Sequence, residues 1–131
     1  MRSLLTFAVA VCLASPAAAV TWTHFFDCSD GDQPRHYSYD KSSIRKDGRL
    51  LVVNVHGDYS EVRGSRATEA RMVLAIDCGG RTYFQKRRTE HDAKGRVVSR
   101  YNSPTPPMPI SPPGMGQHLF DQLCAAPDKL A

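Results

Sequence analysis

The chain has 131 residues, of which 41% are hydrophobic and 23% charged, and its formal net charge is +4 at neutral pH. This length fits one small domain and excludes a large multidomain enzyme. The charge biases encounters toward anionic surfaces but is too small to indicate a nucleic-acid-binding protein.

The N-terminus has the pattern of a secretory signal peptide. Arg2 precedes an uncharged apolar stretch at 4–14, and the alanines at 17–19 offer an A-x-A cleavage site. The apolar stretch is shorter than the roughly 20 residues that cross a bilayer, and no other segment is apolar enough to form a transmembrane span. We therefore predict that residues 1–19 are a cleaved signal peptide. The remaining single domain, residues 20–131, is expected in the periplasm, at the cell surface or in the medium.

Three cysteines remain after removal of this segment: Cys28, Cys78 and Cys124. Export exposes thiols to oxidation, so one disulfide and one leftover cysteine are expected, and all three pairings are open on this arithmetic. No two of them have the short spacing of a zinc-binding pair. Cys28 lies among acidic residues, which raise a thiol pKa and disfavour a catalytic thiolate.

Three strands are predicted in the first half, at residues 20–27, 35–40 and 49–59, with residues 28–34 as a loop. Asp47-Gly48, just before the third strand, is the strongest hairpin signal in the chain. In the third strand Leu51, Val53 and Val55 share one face. Apolar residues also lie opposite them, so we expect its first half to be covered on both sides.

Three further strands are predicted at residues 67–78, 81–91 and 96–102. Helix formers are frequent in the first of these, but its apolar residues alternate with a period of two, which favours a strand. Gly79-Gly80 is interpreted as a two-residue turn between the first two strands. The predicted fold class is α+β, with a single six-stranded antiparallel sheet and a C-terminal helix packed on one face.

The segment at 103–114 contains six prolines in twelve residues, which excludes a helix interior or a central strand. We interpret it as a rigid connector; the alternative is a polyproline ligand for a partner module. A terminal helix is predicted at residues 115–126. Its residues Met115, Leu119 and Leu123 form one apolar face, and the open side of the sheet is the large surface available to it.

A series of residues and short motifs runs along most of the chain. In order, they are Trp22, Tyr39-Asp40, Ser42-Ser43-Ile44, Gly48, Val53, Val55, Tyr59, Asp77-Cys78, Tyr83, the stretch PISPPG and Cys124. In order and spacing, this series resembles the surface-adhesin protein E-like domain family of small exported Gram-negative proteins.

The resemblance implies a small antiparallel sheet with a C-terminal helix, and a disulfide between Cys78 and Cys124 that leaves Cys28 as a free thiol. It also implies binding of host extracellular-matrix or serum proteins, which is the activity of the namesake adhesin. Three residues depart from the family pattern. Asn54, Met108 and Met115 stand where a tryptophan, an aromatic residue and a serine are common.

The sequence contains weak signals for catalysis. Its five histidines, His24, His36, His56, His91 and His118, show no H-x-x-x-H spacing, so we expect exposed polar positions, no metal site and no cofactor. There is no paired-carboxylate motif and no nucleophile elbow. A ribonuclease-like set of His24, His118 and Lys41 is possible on paper, so a small basic hydrolase is the third alternative.

The densest basic run is QKRRTEH, residues 85–91. Strict alternation on a strand places Lys86 and Arg88 on one face and Arg87 on the other face, with Tyr83. We interpret Lys86, Arg87 and Arg88 as a candidate patch for an anionic partner, such as a sulfated glycan, a lipid phosphate or an acidic protein.

The leading functional hypothesis is therefore an exported, non-enzymatic binding module that resembles the surface adhesin. Its expected partner is a host matrix protein or an anionic glycan or lipid surface. The alternative is a periplasmic cell-envelope structural protein without a host ligand. A monomer and a dimer are both compatible with the sequence.

Overall fold

A computed structural model describes residues 20–30 and 33–124. The predicted signal peptide at 1–19 and the last two positions of the predicted helix, 125 and 126, lie outside the described residues.

The described chain forms eight strands, a short 3₁₀ turn at Lys41–Ser43 and one α-helix. The elements are β1 Trp22–Asp30, β2 Gln33–Asp40, β3 Arg45–Asp47, β4 Leu50–Asp58, β5 Glu69–Asp77, β6 Thr82–His91, β7 Val97–Tyr101, β8 Met108–Pro109 and α1 Met115–Leu123. Six strands follow one another across the sheet in the order β1-β2-β4-β5-β6-β7, while β3 pairs with β4 and β8 with β6. The predicted six-stranded antiparallel sheet with a C-terminal helix is thus confirmed, with two short strands added.

The first hairpin is longer than predicted. Instead of a loop at 28–34, β1 and β2 continue to Asp30 and Gln33, and Cys28 pairs with Arg35. The composition of this segment is typical of a loop. Pairing with a neighbouring strand overrides that preference, because it satisfies the backbone groups and brings Cys28 onto the core.

The β5–β6 turn also differs from the prediction. It spans the four residues 78–81 rather than Gly79-Gly80 alone, since Asp77 pairs with Thr82. The Asp77 carboxylate accepts a hydrogen bond from the Gly80 amide at 2.9 Å, so a side chain closes the turn. Arg81, with a φ of 54°, takes the left-handed conformation that the shorter turn would assign to a glycine.

The main core lies between the sheet and α1. Leu51, Val53 and Val55 of β4 are buried there, as predicted, and the helix contributes Leu119 and Leu123, both almost fully buried. The opposite face of the sheet has a smaller apolar cluster of Val52, Val73 and Ala75, with Leu50 and Phe84 at its edge. The prediction that this part of β4 is covered on both sides is therefore confirmed.

The helix is tied to the sheet by the Cys78–Cys124 disulfide, whose Cα atoms are 5.6 Å apart. The pairing implied by the family resemblance is thus present, and Cys28 is a free, half-buried cysteine. The helix ends at Leu123, and the Cys124 amide still donates to the carbonyl of Phe120. A covalent link at this point holds the last turn of α1 against the β5–β6 turn.

The proline-rich segment is extended, as its composition predicts. Met108–Pro109 pairs with the outer edge of β6, and the Thr105 amide also donates to the carbonyl of Gln85 on that strand at 2.9 Å. Ile110 then enters the core and leads into the helix. Among the described residues, no helix is long and apolar enough to span a membrane.

Candidate functional site: the open face of the sheet

The face of the sheet opposite α1 is called the open face below. It carries the small apolar cluster of Val52, Val73 and Ala75. Strand alternation and pairing place four of the five histidines on it: His24, His36, His56 and His91. The sequence left open whether strand histidines converge on one face, and the strand register brings these four onto it.

The first histidine–carboxylate group lies on the β1–β2 hairpin. Asp27 Oδ1 is 2.6 Å from His24 Nε2 and 2.7 Å from His36 Nδ1. His36 Nε2 is also 3.3 Å from Glu61 Oε2. The hydrogen bonds from His36 and then His24 lower the pKa of Asp27, while the bond to Asp27 and then that to Glu61 raise the pKa of His36 above its ordinary 6.5.

The second group joins β4, β5 and β6. The Glu69 carboxylate lies 3.0 Å from His56 Nε2 and 3.5 Å from both His91 Nδ1 and Arg71 Nε. The 3.5 Å contacts are ion-pair distances; His91 Nδ1 makes no hydrogen bond to a described atom. The hydrogen bond from His56 is the main cause of the lowered pKa of Glu69, and burial acts against it.

Trp22 connects the histidine groups with a groove. Its ring centroid lies 5.4 Å from that of His56 in a tilted arrangement, yet 43% of the residue remains exposed. The groove beside it has a volume of about 450 Å³ and is lined by Trp22, Asn54, Arg71, Val73 and Arg87, among others. An exposed indole and two guanidinium groups therefore line one concave surface with an apolar floor.

The basic run on β6 is divided by a β-bulge. Arg87 pairs with Val73 while Gln85 pairs with Leu74, so Lys86 has no partner across the strand. The bulge shifts the alternation that placed Lys86 and Arg88 on one face. Arg88 now shares the helix side with Tyr83, because an extra residue inverts the faces of all residues that follow it.

The three predicted patch residues accordingly have different surroundings. Lys86 Nζ is 3.5 Å from an oxygen of Asp47. Arg88 donates to the hydroxyl of Tyr59 at 2.9 Å and lies 3.1 Å from Glu90, without hydrogen-bond geometry to that carboxylate. Arg87 is exposed on the open face and has no ion pair with any acidic residue in the described part of the chain. The patch is not continuous, and Arg87 is the member that reaches the groove.

The ribonuclease-like set is not assembled. His118 is on α1 and stacks on Phe26 at 4.9 Å, on the helix side of the sheet. His24 is on the open face, so these two imidazoles are separated by the sheet and do not face one phosphate.

The comparisons with known proteins agree with this architecture. The family described as surface-adhesin protein E matches residues 22–125. The chain belongs to this family. No curated protein sequence matches it.

Two solved structures share the fold of this adhesin E domain. Crystal form II of Haemophilus influenzae protein E has a TM-score of 0.58 and 14% identity, covering 86% of this chain and 94% of that chain. A second structure of Haemophilus influenzae protein E has a TM-score of 0.54 and 16% identity, covering 86% and 91%.

The residues that depart from the adhesin E pattern can now be located. Asn54 lines the groove. The aromatic surface there comes from the indole of Trp22 on β1 and not from a tryptophan at position 54. Met108 is 42% exposed on β8. Met115 begins α1 after Gly114, and no side chain caps the first turn by a hydrogen bond.

Sequence reasoning missed both histidine–carboxylate groups. Their members are far apart in the chain, and Asp27 and Glu69 belong to no short motif. The period-two alternation of β4 and β5 could have placed His56 and Glu69 on the same face of the sheet. The pairing of Asp27 with His36, however, depends on the hairpin register, and the position of His24 beside them depends on a bulge; composition reveals neither.

Proposed function

We propose that this protein is an exported, non-enzymatic binding module that uses the open face to bind an anionic partner, either a host matrix protein or a sulfated glycan. The observation that carries the proposal is the groove in which exposed Trp22 lies with Arg71 and Arg87. Membership of the surface-adhesin protein E family supports a role outside the cytoplasm.

The chemistry of the groove fits a binding interface. Tryptophan and arginine contribute most to binding energy at protein interfaces, because each buries a large area and retains a polar group for a specific contact. Val73 supplies an apolar floor, so a partner that covers Trp22 removes apolar area from water.

Three charged residues line the groove, Arg71, Arg87 and Asp40, so positive charges outnumber negative ones. The Asp40 carboxylate already accepts hydrogen bonds from the amide and the hydroxyl of Ser42. Arg87 has no acidic partner in the described ranges, and 66% of the Arg71 side chain is exposed despite its 3.5 Å contact with Glu69. Both guanidinium groups are free to form two parallel hydrogen bonds with a carboxylate or a sulfate. The proposed anionic-partner surface therefore keeps Arg87 of the predicted patch, adds Arg71, and omits Lys86 and Arg88.

Retention on heparin and on decellularised host matrix tests the proposal. The variant Trp22→Ala/Arg71→Ala/Arg87→Ala should elute from heparin at clearly lower salt than the wild type and lose binding to matrix. The matched control is Arg63→Ala/Arg66→Ala, which removes the same charge from the exposed β4–β5 loop. Equal losses in the two variants would attribute retention to net charge alone and contradict the proposal.

The alternative function, a periplasmic structural protein without a host ligand, differs in its location. Surface labelling of intact cells should modify an adhesin and leave a periplasmic protein unmodified. Labelling only after permeabilisation, together with no matrix binding by the wild type, would replace the adhesin proposal with this alternative.

A further inference from the structure

We propose that His24, Asp27 and His36 form a binding site for one divalent cation of the zinc class on the open face. The proposal is independent of the anionic-partner groove, because its residues belong to the β1–β2 hairpin and do not line that groove.

The ligand atoms are already close together. His24 Nε2, the Asp27 carboxylate and His36 Nδ1 all lie within 4.8 Å of one another. The short contacts of 2.6 and 2.7 Å are hydrogen bonds. Zinc bonds of about 2.0–2.1 Å in a tetrahedron place ligand atoms about 3.3 Å apart. Each histidine nitrogen therefore needs to move less than about 1 Å away from the Asp27 oxygen, and the two ring nitrogens, which lie within 4.8 Å of one another, need to approach by at most about 1.5 Å. All three are exposed enough to do so, at 55%, 57% and 38% of their side-chain surface for His24, Asp27 and His36.

The backbone is built to bring them together. Asp27 and His36 are direct cross-strand partners, and His24 pairs with Ser38 two positions along β2. Residues three apart on a regular strand point to opposite faces. A bulge at Phe25 between His24 and Phe26 inserts one residue, so that His24 and Asp27 share the open face.

A carboxylate also orients one of the ligands. His36 Nε2 lies 3.3 Å from Glu61 Oε2. When Nδ1 of this ring binds a cation, Nε2 carries the proton and its N–H donates a hydrogen bond to the Glu61 carboxylate. Metal-bound histidines commonly make this outer hydrogen bond, which fixes the tautomer and the ring orientation. Glu61 is therefore a positioning residue, not a ligand.

The donor set selects the class of cation. Two imidazoles and one carboxylate suit zinc and similar transition metals, with a fourth position left to water, whereas calcium and magnesium require oxygen ligands. Cys28 takes no part, since it packs on the core at the other side of the sheet.

The second histidine group is a weaker candidate. The Arg71 guanidinium lies 3.5 Å from the same Glu69 carboxylate that contacts His56 and His91. A fixed positive charge at this carboxylate opposes the approach of a cation. No arginine or lysine is paired with Asp27 among the described residues.

Calorimetric titration of the full exported protein with zinc chloride tests the site, with a preparation that carries no polyhistidine tag. We expect one equivalent to bind, and calcium not to compete. Asp27→Asn and His36→Gln should each weaken zinc binding at least about tenfold, and Glu61→Gln by about tenfold with the stoichiometry retained. Zinc-edge X-ray absorption of the loaded protein should show two imidazole ligands.

Two control variants and a folding check accompany the titration. His118→Gln removes a histidine outside the site, Cys28→Ser removes the free thiol, and both should bind zinc as the wild type does. Circular dichroism and thermal unfolding establish that each variant is folded. The proposal is overturned if the wild type binds no zinc, if folded Asp27→Asn and His36→Gln retain full affinity, or if Cys28→Ser abolishes binding.

Discussion

Gly116 determines how closely α1 approaches the sheet. It is buried, and a Cβ built on it would lie 2.5 Å from Cε1 of Tyr83, far inside van der Waals contact. Alanine is a better helix former than glycine by about 1 kcal/mol, but such a close contact with an aromatic ring costs about 1–3 kcal/mol. Packing is therefore expected to outweigh helix propensity at this position.

We predict that Gly116→Ala lowers the free energy of unfolding by up to about 2 kcal/mol, because overpacking against Tyr83 exceeds the helix gain. In a Tyr83→Ala background the same substitution should be neutral or stabilising by up to about 1 kcal/mol, since only the propensity effect remains. Urea unfolding of the four proteins measures both changes. Equal destabilisation in both backgrounds would show that the ring is not the cause.

Glu69 makes part of the stability depend on pH. Its carboxylate faces His56 on β4, Arg71 on β5 and His91 on β6, and its pKa is lowered from the ordinary 4.5, chiefly by the hydrogen bond from His56. A pKa that is lower in the folded state favours the ionised form. The contribution of ionised Glu69 to the free energy of unfolding is complete above the pKa that Glu69 has in the unfolded chain. It is lost as the pH falls through the lower pKa that Glu69 has in the folded protein.

We predict that Glu69→Gln is less stable than the wild type by at most about 1 kcal/mol near neutral pH, because the contacts are partly exposed. The difference should shrink between about pH 5 and pH 3. His56→Gln should show the same pH window, since it removes the largest cause of the shift. Thermal unfolding across this range measures it, and a difference that stays constant down to about pH 3 would contradict the assignment.

Among the elements, α1 depends on a covalent link. The disulfide joins Cys78 in the β5–β6 turn to Cys124 at the helix end, 46 residues later. The α1 helix has 9 residues, and isolated helices of this length are unstable in water. The link and the burial of Leu119 and Leu123 therefore hold α1 on the sheet.

We predict that Cys78→Ser/Cys124→Ser lowers the free energy of unfolding by about 2–4 kcal/mol, because the unfolded chain regains the freedom that a long loop closure removes. Cys28→Ser is the matched control and should change stability by less than about 1 kcal/mol. Denaturant unfolding under oxidising conditions compares them. A larger loss for Cys28→Ser than for the double variant would contradict this role of the disulfide.

The elements also show which features are predictable from sequence. Alternation identified β4 and β5 as strands and the buried face of β4, because long central strands have a strong period-two pattern. It did not locate the bulges near Phe25 and Lys86, since a bulge arises from pairing between strands and has no signature in either strand alone. Both bulges change which side chains reach the open face, so the fold was more predictable than the site.

At the scale of the whole molecule, the two faces of the sheet have different roles. One face is closed by α1 and the disulfide and supplies most of the apolar core. The open face holds the two histidine–carboxylate groups, which contain four histidines, and the Trp22 groove. Since α1 stabilises the sheet from the other side, substitutions of exposed residues on the open face, such as Arg71 and Arg87, should alter binding with little loss of stability.

The proposed binding of a partner at the open face can be followed through Trp22, because it is the only tryptophan in the chain. Acrylamide quenching of its fluorescence should be measured while heparin oligosaccharide is added. We predict saturable protection of Trp22 in the wild type and none in Arg71→Ala/Arg87→Ala. If the wild type retains heparin while Trp22 stays as accessible as in the free protein, the partner binds elsewhere and this proposal is contradicted.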